Sequence, residues 1–389
     1  MNFSRRNPIK IVINALSARQ GGGQTYLVNL LEHLKEDAAI EVHVLAPKSL
    51  AVPENRRNIH RLRVSPPGEN PFTRAIWEKI ELPRILSKLR TDVLFCPGGI
   101  IATRVPSGCK TVTMFRNMIP FSAVQKQKYG FGYMRLRNAL LKGAFLRSMQ
   151  SADLVIFLSE YAKSVIEAET RKPIRKTVTI PHGISARFRK SSLQCNSAMP
   201  GWLPAEGYFL YASTLDYYKG QLEVVRAYRQ LKQQRHTPEK LILAGPEYPE
   251  YGRLVREEVR KLRLEDDVLI PGTISYENMA AVYRHATVNI FASECENCPN
   301  ILIEALASGR PVLSSNCGPM PEIAGHAAEY FDPRSPAELA GKWVALLDDP
   351  PRMNKLAGDA EDQSRQYDWS TTAQRTWRAM QDLVDPTSS

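Results

Sequence analysis

The sequence lacks the features of several common protein classes. None of its apolar runs reaches the roughly 18 residues that a membrane-spanning helix needs, and no apolar segment typical of a secretory signal follows the first six residues. No repeat of solenoid length is evident. We therefore expect a globular protein.

Cysteine is sparse and irregularly spaced, as in a reduced, cytosolic protein. The six cysteines are Cys96, Cys109, Cys195, Cys295, Cys298 and Cys317. Cys295 and Cys298 form a lone C-x-x-C, but a zinc site would need two more ligands, and the sequence offers no second pair. We interpret them as ordinary small side chains, with redox or metal use as the alternative.

Acidic residues are missing from a long part of the first half. The 60 residues between Asp92 and Asp153 contain nine Lys or Arg and no acid. Residues 1–190 carry a net charge of +19, and residues 191–389 carry −7. This surface is either solvated and useful for solubility, or it meets anionic lipid headgroups or a phosphate-bearing acceptor. Nucleic acid is not expected, because no helix-turn-helix, finger or RNA-binding signature is present.

Short β-branched runs alternate with helical stretches, which predicts parallel sheets covered by helices. Leu27, Leu30, Leu31 and Leu34 form a helical stripe between the first two strands. The predicted strands are residues 9–13, 41–45, 92–95, 111–114, 154–157 and 177–180, then 208–212, 241–244, 268–270, 288–292 and 312–314.

A polar stretch at 190–206 separates the two series of strands. We expect a first Rossmann-like domain at 1–192, a linker at 193–205 and a second such domain at 206–365. Residues 366–389 form a terminal helix that we expect to pack back on the first domain. Ligands of doubly wound sheets bind beyond the carboxyl ends of the strands, so the two domains are expected to face each other across a cleft.

Three glycines, residues 21–23, lie between the first strand and the first helix. Glycine lets backbone N–H groups approach an anion at a helix start, although a plain tight turn also explains the triplet. The triplet does not fit the G-x-G-x-x-G dinucleotide fingerprint, and the second strand ends at Ala46-Pro47 without a ribose-binding acid. These two mismatches argue against an NAD enzyme.

The segment from Ser293 to Val312 follows a strand and carries two acids. Pro299 suits the first turn of a helix, and Gly309 suits its C′ position. Glu296 then lies in the preceding loop and Glu304 in the second turn, on either side of helix N-terminal N–H groups. Two carboxylates can accept hydroxyl protons from a sugar and a ribose. The alternative is a capping acid and a solvent-facing Glu.

This segment resembles the E-x7-E signature of glycosyltransferase family 4, retaining enzymes with the GT-B fold. Asn297-Cys298-Pro299-Asn300 stands where the family usually has a glycine-rich filling. The resemblance extends over nearly the whole chain in ordered, individually weak motifs: Gly22-Gly23, Ser159-Glu160, residues 180–184 (I-P-H-G-I), Lys219-Gly220, residues 244–246 (A-G-P) and Pro271-Gly272.

The resemblance implies a role for each matching residue. Glu304 would hold the ribose of a nucleotide, Glu296 would orient the transferred sugar, and Lys219 would neutralise the diphosphate leaving group. The backbone of Gly22 and Gly23 would approach the same phosphates, and Gly272 would lie near the base. The other implied donor contacts are Asn297, Cys298, Asn300 and Ile301.

The sequence departs from the family at two places. Ser213 and Thr214 stand where the family commonly has an Arg before the Lys, so we expect Arg116, after the strand at 111–114, to supply the missing cation. Thr214 itself remains a candidate donor contact. Arg116-Asn117 replaces a frequent His-Asp, so no role for that His is carried over. His182 is a further candidate, with a structural loop histidine as the alternative.

The resemblance implies a metal-independent hexosyltransferase, with a UDP- or GDP-linked sugar as substrate and a glycan or lipid-linked acceptor. Bacterial surface polysaccharide or lipopolysaccharide synthesis is the expected setting, either in the cytoplasm or on the inner face of its membrane. Two alternatives stay open: a nucleotide-sugar epimerase of GT-B fold, and a non-catalytic nucleotide-sugar-binding module.

Overall fold

The computed structural model describes residues 8–18, 21–36, 39–63, 71–122, 125, 132–170, 172–189 and 200–385. The chain divides into two compact units. The first contains residues 1–121, 131–183 and 369–389, and the second contains residues 122–130 and 184–368. Each unit is an α/β domain, and the expected cleft between them stays a prediction.

The division falls at Gly183–Ile184, before the linker expected at 193–205. Ile184 already belongs to the second unit, where its N–H donates to the carbonyl of Tyr367 at 3.2 Å. The Phe188 ring packs against Tyr276 and Tyr283 of the same unit, with ring centroids 5.4 and 6.0 Å away. The sequence analysis placed the division at the polar stretch 190–206, because residue polarity does not reveal these contacts. Residues 190–199, including Cys195, lie outside the described residues.

The first unit is built on a seven-stranded parallel sheet in the order β3-β2-β1-β4-β5-β6-β7. Its strands are β1 (Ile9–Asn14), β2 (Ile40–Leu45), β3 (Ile59–Arg61), β4 (Val93–Cys96), β5 (Lys110–Met114), β6 (Leu154–Phe157) and β7 (Thr177–Thr179). Its described α-helices are α1 (Gly22–Glu32), α2 (Pro71–Leu89), α3 (Tyr133–Ser151), α4 (Glu160–Glu169) and α12 (Trp369–Val384).

The second unit repeats the plan with a six-stranded parallel sheet in the order β10-β9-β8-β11-β12-β13. Its strands are β8 (Tyr208–Ala212), β9 (Lys240–Ala244), β10 (Val268–Gly272), β11 (Val288–Phe291), β12 (Val312–Ser315) and β13 (Glu329–Phe331). Its described α-helices are α5 (Gln221–Gln234), α6 (Pro249–Lys261), α7 (Tyr276–His285), α8 (Asn300–Ala307), α9 (Met320–Ala324), α10 (Pro336–Leu347) and α11 (Pro350–Ser364).

Burial on both faces explains the sequences of the central strands. All residues of β4, β6, β8, β11 and β12 are buried, so none of these strands shows the alternation of a half-exposed strand. Strands β4, β6 and β8 are continuous apolar or aromatic runs, whereas β11 and β12 also bury Asn289, Ser314 and Ser315. The two strands that the sequence analysis missed, β3 and β13, are edge strands of three residues each. Both strands mix apolar with polar or charged residues (I-H-R and E-Y-F), so they leave no clear pattern, whereas the short edge strand β7 is β-branched throughout (T-V-T) and was predicted.

The C-terminal helix α12 lies on the first unit. Trp377 is buried, and its indole N–H donates to the carbonyl of Leu30 at 3.1 Å. The Thr372 hydroxyl donates to the carbonyl of Pro181 at 2.9 Å, and the Thr376 hydroxyl lies 3.4 Å from that of Tyr26. This helix therefore completes the core of a domain whose other elements end about 185 residues earlier in the chain.

We predict that Trp377→Ala lowers the free energy of unfolding of the first unit by about 3–5 kcal/mol. The change opens a large cavity and leaves the carbonyl of Leu30 without its indole donor. Urea unfolding followed by circular dichroism measures the effect. The control is Arg378→Ala on the exposed side of the same helix, for which we expect a change within about 0.5 kcal/mol. Equal effects of the two substitutions would contradict this packing.

Candidate functional site

The candidate site of the second unit lies where its strand order reverses. Strand β8 pairs with β9 on one side and with β11 on the other, so the loops after β8 and β11 leave the sheet next to each other. Ligands of open parallel sheets bind at such a switch point, beyond the carboxyl ends of the strands. The loop after β8 contains Lys219, and the loop after β11 contains Glu296.

A short helical turn holds Lys219 in place. The Asp216 carboxylate caps the turn at 217–219 by accepting from the Tyr217 N–H at 2.7 Å. Gly220 follows with φ of 71°, and a Cβ there would lie 2.8 Å from the carbonyl oxygen of Ala292. Glycine is therefore required by both the left-handed conformation and the close approach of the two loops.

Lys219 and Glu296 form an ion pair through Nζ and Oε1. The same Oε1 accepts a hydrogen bond from the Ser293 hydroxyl at 2.6 Å. Lys219 is only 6% exposed, and Nζ lies 4.8 Å from the centroid of the Tyr218 ring. The pair is thus shielded from water, and the lower effective dielectric constant of this environment strengthens its electrostatic interaction. Ser293 was not among the predicted site residues, although it directly follows the strand end and precedes Glu296 by three positions.

The segment after Glu296 starts helix α8 at Asn300, with Pro299 as the cap residue rather than in the first turn as expected. The helix ends at Ala307, and Gly309 has φ of 63°, as predicted for a C′ glycine. Asn297 and Cys298 are buried, whereas Asn300 and Ile301 at the helix start are half-buried. The backbone N–H groups of this first turn form the positive end of the helix dipole.

Glu304 lies in the second turn of α8, as predicted, but it is not a solvent-facing acid. The hydroxyl of the fully buried Tyr283 interacts with its carboxylate and also donates to the carbonyl of Ile301 at 3.5 Å. Although part of Glu304 remains exposed, the surrounding protein desolvates the carboxyl group and raises its pKa to about 7. The Tyr283 hydrogen bond opposes this rise. The group therefore titrates near neutral pH.

Two side chains near Glu304 were missed by the sequence analysis. Tyr276, at the start of α7, lies close enough for the Glu304 charge to raise its phenol pKa, although burial is the larger cause. The Arg187 guanidinium stacks 4.9 Å above the Tyr276 ring, which is 49% exposed. Arg187 was hard to predict as a site residue, because it precedes the second series of strands and was therefore assigned to the first domain.

Gly272 and Thr214 lie at two further strand ends of this unit. Gly272 ends β10 with φ of 75°, and a Cβ placed there would meet no atom within 4 Å. The conformation requires glycine, and the space around it is open. Thr214 is half-buried in the loop after β8, and its carbonyl accepts from the Gln221 amide at 3.0 Å.

In the first unit, Arg116 lies beside the glycines that start α1. The helix begins at Gly22, and a Cβ placed on Gly23 would lie 3.8 Å from Arg116 Nη1. The guanidinium also lies 5.5 Å from the centroid of the Tyr26 ring, one turn further along α1. A cation and the positive end of a helix dipole therefore converge on one place, an arrangement that favours a bound anion.

His182 lies in an aromatic cluster of the first unit. Its ring is buried and stacks on the Tyr26 ring, with the two centroids 5.5 Å apart. The centroid of the Trp369 ring also lies 5.5 Å from that of His182. This packing supports the structural alternative for His182, since the ring fills the core between α1 and α12.

The cysteines and acids of the chain are its possible metal ligands. Burial raises the pKa of the Cys295 thiol to about 12, so it is a thiol rather than a thiolate at neutral pH. Within the part of the chain that the structure describes, no group of three His, Cys, Asp or Glu side chains is arranged to hold a metal ion. None of the described helices combines the length and apolar character needed to cross a membrane.

Two family models match the chain, one for each series of strands. Residues 20–188 match the model described as Glycosyltransferase Family 4, and residues 200–363 match the model described as Glycosyl transferases group 1. The second match contains Lys219, Gly272, Glu296 and Glu304, and the first contains Gly22, Gly23 and Arg116.

Curated relatives are glycosyltransferases of several kinds. The O-antigen chain mannosyltransferase B of Escherichia coli is 25% identical over 234 residues, which is 60% of this chain and 61% of that protein. The glycogen synthase of Mycobacterium tuberculosis is 30% identical over 176 residues, which is 44% of this chain and 41% of that enzyme. The alignments thus span less than two thirds of these relatives.

Solved structures share the architecture over almost the whole chain. A glycosyltransferase from Rickettsia africae ESF-5 aligns with a TM-score of 0.72 at 17% identity, covering 98% of this chain and all of that one. WaaG, a glycosyltransferase involved in lipopolysaccharide biosynthesis, aligns with a TM-score of 0.70 at 16% identity and the same coverage. At such identities the likeness shows the fold alone. With both family models matched in order, the chain belongs to the family 4, group 1 glycosyltransferases and has their two-domain GT-B fold.

Proposed function

We propose that this protein is a retaining hexosyltransferase, which moves a sugar from a UDP- or GDP-linked donor to a glycan or lipid-linked acceptor without a metal ion. The observation that carries the proposal is the shielded cluster of Lys219, Glu296 and Ser293 at the switch point of the second unit. The cluster combines a cation for a diphosphate with a carboxylate for sugar hydroxyls.

Lys219 and Glu296 hold each other in position for these two tasks. An ammonium group has three N–H donors, so Lys219 can keep its bond to Glu296 while donating to a phosphate oxygen. As the bond between the sugar and the diphosphate breaks, negative charge grows on that phosphate and its attraction to Lys219 increases. Glu296 accepts from the hydroxyls of the transferred sugar, and its contacts with Lys219 and Ser293 favour positioning over attack on the sugar.

Glu304 would bind the nucleoside end of the donor. It lies eight positions after Glu296, beyond the start of α8, and its carboxylate can accept both ribose hydroxyls. Donor phosphates between the two acids would meet the N–H groups of the first turn, from Asn297 to Ile301. Gly272, with open space around it, suits a contact with the base. Thr214 remains a further candidate contact.

The first unit contributes a second positive site, formed by the start of α1 at Gly22 and Gly23 together with Arg116. An anion bound there would be attracted by both the guanidinium and the helix dipole. We propose that this anion is the donor diphosphate, and that Arg116 supplies the cation which the family usually has near Ser213 and Thr214.

Retention of configuration requires the acceptor to attack the face from which the diphosphate leaves. The acceptor oxygen forms the new bond to the anomeric carbon as the bond to the phosphate oxygen breaks, and the acceptor's proton passes to the departing phosphate. No separate protein base is needed for this transfer, because the leaving group accepts the proton.

Bacterial surface-polysaccharide synthesis on the cytoplasmic side of the membrane is the proposed setting. Two observations support it. One relative is an O-antigen chain mannosyltransferase, and one solved structure with the same fold is involved in lipopolysaccharide biosynthesis. The net charge of +19 over residues 1–190 suits an anionic acceptor or membrane.

We predict that Lys219→Ala and Arg116→Ala each lower turnover by about 100-fold or more, because each removes a cation from the leaving diphosphate. Nucleotide release from the sugar donor, measured with a bacterial lipid or oligosaccharide extract as acceptor, gives the rate. Arg104→Ala, at an exposed arginine of the first unit, should keep wild-type turnover, and chelation with EDTA should leave the rate unchanged. Near-normal turnover of Arg116→Ala would reject its role and leave that of Lys219 standing.

We predict that the affinity for the correct nucleotide sugar rises about tenfold between pH 6 and pH 8. Ribose hydroxyls donate to an ionised carboxylate, and a group with a pKa of about 7 ionises over this range. A thermal-shift screen with UDP- and GDP-sugars first identifies the donor, and isothermal titration calorimetry then measures Kd at each pH. Glu304→Gln should bind weakly with no such pH dependence, whereas Glu250→Gln on α6 should behave as wild type. Equal pH dependence in Glu304→Gln would contradict the assignment.

One incubation distinguishes the two alternative functions from transfer. With donor alone, an epimerase produces an epimerised nucleotide sugar. A binding module holds the donor tightly but releases no nucleotide with any acceptor. The proposed transferase releases nucleotide in an acceptor-dependent way, and the anomeric configuration of its product matches that of the donor.

A further inference from the structure

Exposed aliphatic side chains are concentrated on two helices of the first unit. Among the described residues, the large aliphatic side chains that are strongly exposed are Ile76 and Ile80 on α2 and Leu136 and Leu140 on α3. The two leucines are 62% and 63% exposed. The other large hydrophobic residues with comparable exposure are aromatic. On each helix the two side chains are four residues apart and share a face, unlike the scattered single hydrophobic residues of an ordinary surface.

The topology places α2 and α3 on the same side of the sheet. Helix α2 connects β3 to β4, and α3 lies between β5 and β6, so both connections run in the same direction across the strand order. Right-handed crossovers running in one direction lie on one face of a parallel sheet. The connection through α1, from β1 to β2, runs the opposite way and lies on the other face.

Helix α3 is apolar on two sides. Phe145 and Met149 are buried toward the sheet, while Leu136 and Leu140 lie four residues apart on the outer side. A helix that covers a sheet at the surface of a water-soluble domain needs only one apolar stripe. The outer leucines of α3 therefore call for a second apolar environment.

Positive charge surrounds these leucines. Arg135, Arg137 and Arg147 are exposed on α3, and the helix contains no acidic residue. Beside the helix, a groove of about 510 Å³ is lined by Leu140, Arg147 and Lys172, among others. The single acid in its lining, Glu169, is paired with Lys142 at 2.6 Å. The surface is thus aliphatic at its centre and basic at its edges.

We propose that the outer faces of α2 and α3 bind the surface of a bilayer that contains anionic phospholipids. Leucine and isoleucine side chains enter the boundary between headgroups and acyl chains, and the arginines contact lipid phosphates. Charge complementarity selects this partner, because an uncharged apolar partner would leave the basic rim unmatched. Membrane binding would bring the enzyme to a lipid-linked acceptor, and in this respect the proposal rests on the proposed function. Membrane binding itself does not depend on catalysis.

The experiment is flotation of the full chain with vesicles of phosphatidylglycerol and phosphatidylcholine in a ratio of about 1:3, at about 0.1 M and about 0.5 M salt. Wild type should float with these vesicles at low salt and dissociate from them at high salt. It should not bind vesicles of pure phosphatidylcholine. The double variant Arg137→Gln/Arg147→Gln should bind about 25-fold more weakly, and Leu136→Ser/Leu140→Ser about tenfold or more.

The matched control is Arg260→Gln/Lys261→Gln, which removes the same charge from exposed positions of α6 in the second unit. It should bind vesicles like wild type. Thermal unfolding and binding of the nucleotide sugar should be unchanged in all three variants, so loss of vesicle binding reports the surface alone.

Several results would overturn the inference. They are absence of wild-type binding to anionic vesicles, equal losses in the control, or wild-type binding by the leucine variant. A concentration-dependent dimer that the leucine variant abolishes would instead assign this surface to a second copy of the chain. Vesicle binding without nucleotide-sugar binding would refute the proposed function and leave the membrane inference intact.

Discussion

The ion pair between Lys219 and Glu296 is the interaction on which the site of the second unit depends. It joins the loops after β8 and β11 at the point where the strand order reverses. Removing one member of such a shielded pair costs about 3–5 kcal/mol, because the other charge is left without a partner. The ion pair, the Ser293 hydrogen bond and the close packing at Gly220 together fix the two loops before any ligand binds. A preformed arrangement of charges needs little reorganisation when the charge of a bound group changes.

A second constraint is the electrostatic environment of two candidate site residues, Glu304 and Arg116. Glu304 is held against Tyr283 in surroundings that raise its pKa to about 7, so its carboxyl group is partly protonated at neutral pH. In the first unit, the guanidinium of Arg116 lies at the positive end of α1. A carboxyl group with a raised pKa and converging positive charge are both typical of functional sites.

The sequence was sufficient for most of the architecture, because periodicity and strand-end chemistry are local. The buried central strands, the helix start near Pro299 and the glycine at Gly309 could be read from residue type and spacing. Edge strands β3 and β13 were missed, since three residues that mix apolar with polar or charged side chains leave no clear pattern. The domain division was expected too late in the chain, because the contacts of Ile184 and Phe188 involve residues far away in the sequence.

The sequence alone determined which residues could act: two acids eight positions apart, a lysine after the first strand of the second unit, and glycines at a helix start. Tertiary structure decided how these residues are arranged in space and which of them contact each other. It paired Lys219 with Glu296, added Ser293, enclosed Glu304 beside Tyr283 and brought Arg116 to Gly23. It also moved His182 into an aromatic core and left Leu136 and Leu140 exposed. The physical reason is that burial and electrostatic coupling depend on distances in space, which residue type and spacing do not specify.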